Sequence, residues 1–386
     1  MKSLSNASHN LEGQKMFQIL STAKELEKKG RRIFHFELGD PDFDTPSNIS
    51  YKASASILGN NTHYAPSSGI NELKKVASNV TLKSRGFKPD LNQLLVTAGA
   101  NIQLYYAIAC TVNPGDEVIV PDPGFVSYFS ILKFIGAKIV RIPLREENNF
   151  RLNPEDVKEA ITHKTRLIIM NSPSNPTGSV MTKYEVSSMY KIAEEYDVYL
   201  LSDEIYARMT YNARHYSPSV YDHCKERTIV VNGFSKSYAM TGWRLGVCTG
   251  PKEVIEKMGL LLETTSSCVS PFIQVAGIEA LIGSQIPVLD MVTEFRKRRD
   301  VLVEGLNSLE GVTCLKPEGS FYVFPNIKET GFSSDSFAEH MINSANVALC
   351  SGNIFGEHCE GYVRMSYSNN STENIKDAIQ KMGYVL

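Results

Sequence analysis

Short apolar runs alternate with amphipathic stretches through the middle of the chain. "LLVTAG" (94–99) precedes a helical pattern over about 102–112, and "EVIVPDP" (117–123) precedes one over about 126–135. Next come "KIVRIPL" (138–144), a helix near 154–162, "RLIIMNSP" (166–173), a helix over 182–196, "VYLLSDEIY" (198–206), "TIVVNGFS" (228–235) and "RLGVCTG" (244–250). Runs this rich in Val, Ile and Leu suit strands buried on both faces, with the intervening helices as the crossovers that parallel strands require. The pattern predicts a large α/β domain over 49–285 with a mainly parallel mixed sheet.

After about residue 285 the pattern changes. "EFRKRRDVLVEGLNSL" (294–309) reads as a long charged helix, "GSFYVFPNI" (319–327) and "EGYVRMSYS" (360–368) as separate strands, and a closing helix begins near Thr372. This predicts a smaller α+β domain over 286–386. Residues 1–48 offer a helix over about 12–29 and a loop, "GDPDFDTP", with no core of their own. They are expected to pack on the small domain or to bridge to the large one.

Composition narrows the possible functions. With 386 residues and 42% apolar content the chain can bury a sizeable core in two or three domains. Lys plus Arg number 40 against 42 Asp plus Glu, so no global field draws the chain to nucleic acid or to an anionic membrane. No run approaches the ~18 apolar residues of a membrane span. The opening "MKSLSNASHNLEGQKMF" lacks the apolar core of a signal peptide, so a cytoplasmic address is expected. The 7 cysteines are scattered without a C-x-x-C or zinc-site spacing, which predicts reduced thiols and no metal.

In an open α/β sheet, ligands sit outside the carboxyl ends of the strands. Four loops there carry unusual chemistry. "VTAGAN" sets Gly99, Ala100 and Asn101 where a helix opens, and free backbone N–H groups there attract an anion. "NSPSNPTG" contributes Asn175, "LLSDEIY" contributes Asp203 and Tyr206, and "NGFSKSYAMTGWR" contributes Ser235, Lys236 and Arg244. Taken singly, Gly99 and Asn101 also suit a turn and a cap, Asp203 an N-cap, and Arg244 a surface charge. Lys236 is harder to explain that way, because a lysine among small and apolar residues must either snorkel to water or be used. Together they supply an amine for an imine, a carboxylate for a pyridinium nitrogen, and an arginine with a helix N-terminus for a phosphate, which are the needs of pyridoxal phosphate.

With these motifs in order, the chain resembles the pyridoxal-phosphate-dependent aminotransferases of fold type I, in the class I/II group of aspartate, alanine and aromatic aminotransferases. The resemblance runs from "FELGDPDFDTP" through "HYAPSSGINEL", "GANIQLYYA", "PDPGFVSY", "NSPSNPTG", "SDEIY", "SKSYAMTGWRLG" and "GSFYVF" to "GYVRMSYS". It implies that Lys236 is joined to the cofactor and later moves protons, that Asp203 pairs with the ring nitrogen, and that Asn175 and Tyr206 bond the ring's phenolic oxygen. It further implies that Phe125 stacks on the ring, and that Gly99, Ala100, Asn101, Ser235 and Arg244 form the phosphate site. Tyr64 matches the tyrosine that reaches a neighbouring subunit's phosphate, which implies a homodimer with shared active sites. Arg364 and Gly39 match the positions that meet the substrate α-carboxylate. The implied activity moves an amino group from an L-amino acid to a 2-oxo acid by a ping-pong route. A C–S or related β-lyase on the same residues is the alternative. Asn101 stands where the aspartate/prephenate branch often has lysine, so it resembles members that take neutral or aromatic donors.

Overall fold

The computed structural model describes residues 3–9, 11 and 13–386. β1 (Phe34–His35) precedes β2 (Leu94–Thr97), β3 (Glu117–Asp122), β4 (Lys138–Pro143), β5 (Thr165–Asn171), β6 (Tyr199–Asp203), β7 (Thr228–Val231) and β8 (Gly246–Thr249). The last seven form one sheet in the order β2-β8-β7-β6-β5-β3-β4. All its pairings are parallel except those of β8, which runs antiparallel to both β2 and β7.

Period-two alternation covers both faces of this sheet. Val118, Val120, Leu167, Ile169 and Leu201 point to one side, where they pack with Leu104 and Ile108 of the helix Ala100–Thr111 and Met258 of the helix Lys252–Ser266. Ile119, Ile168, Met170 and Leu200 point to the other, against Val157 of Pro154–Ala160 and Val186 and Met189 of Lys183–Glu195. The reversed β8 brings its first residue, Gly246, level with Thr97 at the end of β2. Arg244, just before β8, therefore reaches the carboxyl edge of the parallel strands.

A second core lies beyond this sheet. β9 (Tyr322–Val323), β10 (Val347–Ala348), β11 (Cys350–Ser351) and β12 (Val363–Ser366) follow in the chain. β11, β12 and β9 make a three-stranded antiparallel sheet, and β1 pairs in parallel with β10. Phe295, Leu302, Phe321, Phe337 and Met365 fill this core together with Phe34 and Phe36 from the N-terminal segment. The same segment touches the large sheet's side through Gln14, whose Nε2 donates to Ser127 Oγ at 3.0 Å.

Element boundaries differ from the sequence reading in several places. The N-terminal helix spans Lys15–Lys28, and Glu12, the first residue predicted for it, lies outside the described residues. The long charged helix begins at Ile286, eight residues before the predicted start, with Pro287 in its first turn, where a missing N–H costs nothing. "GSFYVFPNI" keeps only two strand residues. Among the described residues, four helices longer than ten residues went unpredicted: Ser47–Leu58, Asn71–Arg85, Lys252–Ser266 and Pro271–Ile282. The last, "PFIQVAGIEALI", is apolar almost all round and so shows no stripe of period 3.6. Among the described residues no single helix is long and apolar enough to cross a membrane, and no His/Cys/Asp/Glu group is arranged to hold a metal.

Candidate active site

The carboxyl edge of the large sheet gathers the predicted residues. Gly99 caps the helix Ala100–Thr111 at a φ of 86°, a conformation that a side chain disfavours. A Cβ built on it would lie 2.5 Å from Nη2 of Arg244, so the guanidinium rests directly against this glycine. Arg244 itself holds a left-handed backbone at φ 53°, a strained state for a residue of its size. Its Nη1 donates to Thr241 O at 2.9 Å and approaches Ser235 Oγ at 3.5 Å. Helix N-terminus, Arg244 and Ser235 thus line one anion-sized cradle.

Asp203 ends β6 and is buried. Burial pushes its carboxyl up to about 6, although Tyr128 Oη donates to it at 2.6 Å and the backbone N–H of Ile205 donates at 3.2 Å. The sequence reading missed Tyr128. Its signal was the spacing in "GFVSY", since a residue three after Phe125 shares its helical face. Phe125, at the cap of Val126–Ile135, meets Tyr128 edge-on at 5.7 Å.

Lys236 is half-buried, and its Nζ donates to the carbonyl of Gly39 at 2.7 Å. Burial lowers its pKa to about 8, with Arg244 and Arg364 acting in the same direction and Asp40 opposing them. One oxygen of Asp40 is buried with no hydrogen-bond partner among the described residues.

Arg364 is fully buried in the middle of β12. Its guanidinium lies between the rings of Tyr322 and Phe355, 4.7 Å from each centroid. Nη2 donates to the carbonyl of Glu37, Nη1 donates to Asn175 Oδ1 at 3.3 Å, and Nε has no partner among the described residues. Asn175 is in turn fixed by its own N–H, which donates to Asn171 Oδ1 at 2.8 Å. The Tyr206 and Tyr322 hydroxyls meet at 3.0 Å, and burial pushes Tyr206 well above the usual phenol range. A side chain at Gly39 would run into the Tyr322 ring.

Residues from widely separated parts of the sequence therefore converge. Asn175, Asp203, Lys236, Arg244 and Arg364 stand together with Gly39 and Gly99, whereas Tyr64 is 88% exposed and takes no part in this network. Besides Tyr128, the reading missed Tyr322, Phe355, Glu37 and Asp40. Nothing in their local sequence marks Tyr322 or Phe355 as more than core residues, because only the fold brings them over Arg364.

A lysine of lowered basicity, a buried carboxylate at the end of β6 and a separate buried arginine are the features of a pyridoxal-phosphate-dependent transaminase of α/β fold. Comparison with known proteins makes this specific. The sequence model for "Aminotransferase class I and II" matches residues 31–382, and the chain belongs to that family. An aspartate aminotransferase of Pyrococcus horikoshii is 40% identical over 371 residues, covering 95% of this chain and 93% of the relative. The aromatic-amino-acid aminotransferase 2 of Thermococcus litoralis is 40% identical over 358 residues, 92% of each chain. The solved aspartate aminotransferase of Thermus thermophilus with maleate superposes with a TM-score of 0.95 at 34% identity, covering 100% of both chains. The protein transfers an α-amino group from an L-amino acid to a 2-oxo acid, and these relatives do not favour the lyase alternative.

Proposed function

We propose that Lys236 is the residue joined to pyridoxal phosphate and the base that afterwards moves the substrate's α-proton. The observation that carries this is its placement, half-buried at the carboxyl edge of the sheet with Nζ donating to Gly39 O at 2.7 Å and with Arg244 and Arg364 nearby. Burial and these cations lower its basicity, which favours a usable neutral fraction near neutrality, where an ordinary lysine has almost none. The surrounding residues fit the cofactor. Gly99 keeps the phosphate cradle open beneath Arg244, and Asp203 is a buried anion without a cationic partner among the described residues. When bound, pyridoxal phosphate supplies a carbonyl that condenses with amines and a ring that stores electrons.

The chain's own groups then take definite tasks. Asp203 stays ionised against the ring nitrogen, oriented by Tyr128. Asn175 and Tyr206 hydrogen-bond the phenolic oxygen, and Phe125 covers one ring face. The backbone at Ala100 and Asn101, with Ser235 and Arg244, holds the phosphate. Arg364 takes the α-carboxylate through a planar pair of donors, its free Nε included, while the Gly39 backbone approaches from the other side. Asn101, exposed in the first turn of Ala100–Thr111, favours a neutral or aromatic donor over an acidic one.

The assembly we propose is a cytoplasmic homodimer, each chain divided at about residues 48 and 285, with Tyr64 reaching the partner's phosphate. The exposure of Tyr64 supports this, as do Tyr51, Leu58, Leu260, Ile282 and Ile286, large apolar side chains left exposed on the single chain. Spectroscopy tests the central claim. Adding pyridoxal phosphate to stripped protein should raise a visible absorption band that amino donors bleach, and Lys236→Ala should never develop it. A wild-type protein that stays colourless with added cofactor would overturn the assignment. A donor panel scored by bleaching tests the preference inferred from Asn101.

A further inference from the structure

A second concavity lies apart from this chemistry. Its volume is about 880 Å³, and none of Lys236, Asp203, Asn175 or Arg364 lines it. That size falls within the range of about 300–1,000 Å³ typical of small-molecule sites. Leu94, Val230 and Val247, from β2, β7 and β8, form an apolar floor. The helix Asn71–Arg85 and the segment 207–221 form its walls.

The walls are cationic. Lys183, Arg208 and Arg214 line the cleft and make no ion pair among the described residues. Arg208 only donates to the neutral Gln285 Oε1 at 2.6 Å and covers the Tyr238 ring, and Arg214 lies over the Tyr216 ring at 5.6 Å. Arg85 and His215 also line it, and both bond to buried Glu204. That single carboxylate balances one positive charge and leaves the others in excess. His215 spends Nε2 on Glu204 at 3.1 Å, while its buried Nδ1 has no partner among the described residues. A buried polar atom without a partner on a cavity wall is costly unless something fills the space.

The cleft also backs onto the active site. Consecutive residues of an extended strand face opposite ways. Asp203 turns to Tyr128, and Glu204 turns to Arg85 and His215 on the cleft side. Phe234, Ser237 and Tyr238, which flank Lys236 in the chain, line the cleft as well.

We propose that this cleft binds a small amphipathic organic anion, its apolar body on the Leu94–Val230–Val247 floor and its anionic group held by Lys183, Arg208 and Arg214. The apolar floor and cationic rim select for both properties at once, since a bare inorganic anion leaves the floor wet and a neutral hydrocarbon leaves the cations unpaired. The site does not depend on which amino acid the enzyme converts.

The test uses the full-length enzyme loaded with pyridoxal phosphate and the fluorescent probe 8-anilino-1-naphthalenesulfonate, an aromatic anion that brightens when buried. Saturable binding of one probe per chain is expected, and it should survive Arg364→Ala. The double variant Lys183→Glu/Arg214→Glu, on side chains outside the catalytic cluster, should weaken it on the order of tenfold or more while leaving transamination unchanged. Circular dichroism establishes that the variant is folded. Unaltered affinity in that variant, or loss of the probe in Arg364→Ala, would overturn the proposal.

Discussion

Replacing Asp203 with asparagine should make the cofactor-free protein more stable at neutral pH. The folded carboxyl sits at about 6 against an ordinary 3.8, so folding favours its protonated form. The stability tied to that proton is complete below about pH 4, is lost as pH rises through the window up to about 6, and is gone at pH 7. A shift of about two units corresponds to ~3 kcal/mol. Asparagine is neutral throughout and avoids this loss. Its Oδ1 can accept from the Ile205 N–H, and its Nδ2 can donate to Tyr128, whose hydroxyl reverses role. The assay is urea denaturation of stripped wild type and Asp203→Asn at pH 4 and pH 7. The variant's advantage should approach ~3 kcal/mol at pH 7 and nearly vanish at pH 4. With pyridoxal phosphate bound the order should invert, because the pyridinium supplies the counter-charge that only the carboxylate can use. A stripped variant that is less stable than wild type at pH 7, or an advantage independent of pH, would refute the reasoning.

Other consequences can be checked separately. Asp40 opposes the lowering of the Lys236 pKa, so Asp40→Asn should move the midpoint of cofactor reconstitution to lower pH than the value of about 8; stopped-flow absorbance across pH measures it. Arg364→Ala removes a charge-assisted pair worth ~3–6 kcal/mol, which predicts a loss on the order of 10²–10⁴ in kcat/KM with the cofactor band retained, and Arg364→Lys should recover only part of it. Gly99→Ala places a methyl 2.5 Å from Arg244 Nη2 at a positive φ, so the cofactor should dissociate more readily; dialysis followed by absorbance reads this directly.

The α/β character, the order of the strands in the chain and the residues at their ends were legible because each strand of the large sheet is a compact apolar run that ends in a polar loop. The reversal of β8 was not, yet it brings Arg244 against Gly99. Strand direction depends on pairing partners far apart in sequence, and "RLGVCTG" reads the same in either direction. Tyr322 and Phe355 were invisible for a related reason. An aromatic residue that flanks a buried arginine has the same local pattern as one that fills a core, and the difference lies in β12 arriving between them. The helix Pro271–Ile282 escaped because an almost wholly apolar helix has no amphipathic stripe from which to be read, whereas Lys252–Ser266 carries an ordinary stripe in Val254, Ile255, Met258 and Leu262 that the reading passed over.

Asp203 and Glu204 show what the fold does with adjacent carboxylates. Both are buried, and burial pushes both upward. For Glu204 the Arg85 guanidinium, His215 and the Ser217 hydroxyl outweigh that push and hold it near 2. Among the described residues Asp203 receives only a phenol and one backbone N–H, which leave it near 6. The chain therefore has the means to satisfy a buried anion at this depth, and applies them one residue away from the catalytic edge. The shortfall at Asp203 is specific to its side of the strand, where, on the function proposed above, the cofactor's pyridinium would complete the set. A carboxylate fully paired by the protein would have no free charge to give a ring nitrogen, so the stability predicted to be lost above about pH 6 in the stripped protein and the proposed hold on the cofactor would have one origin.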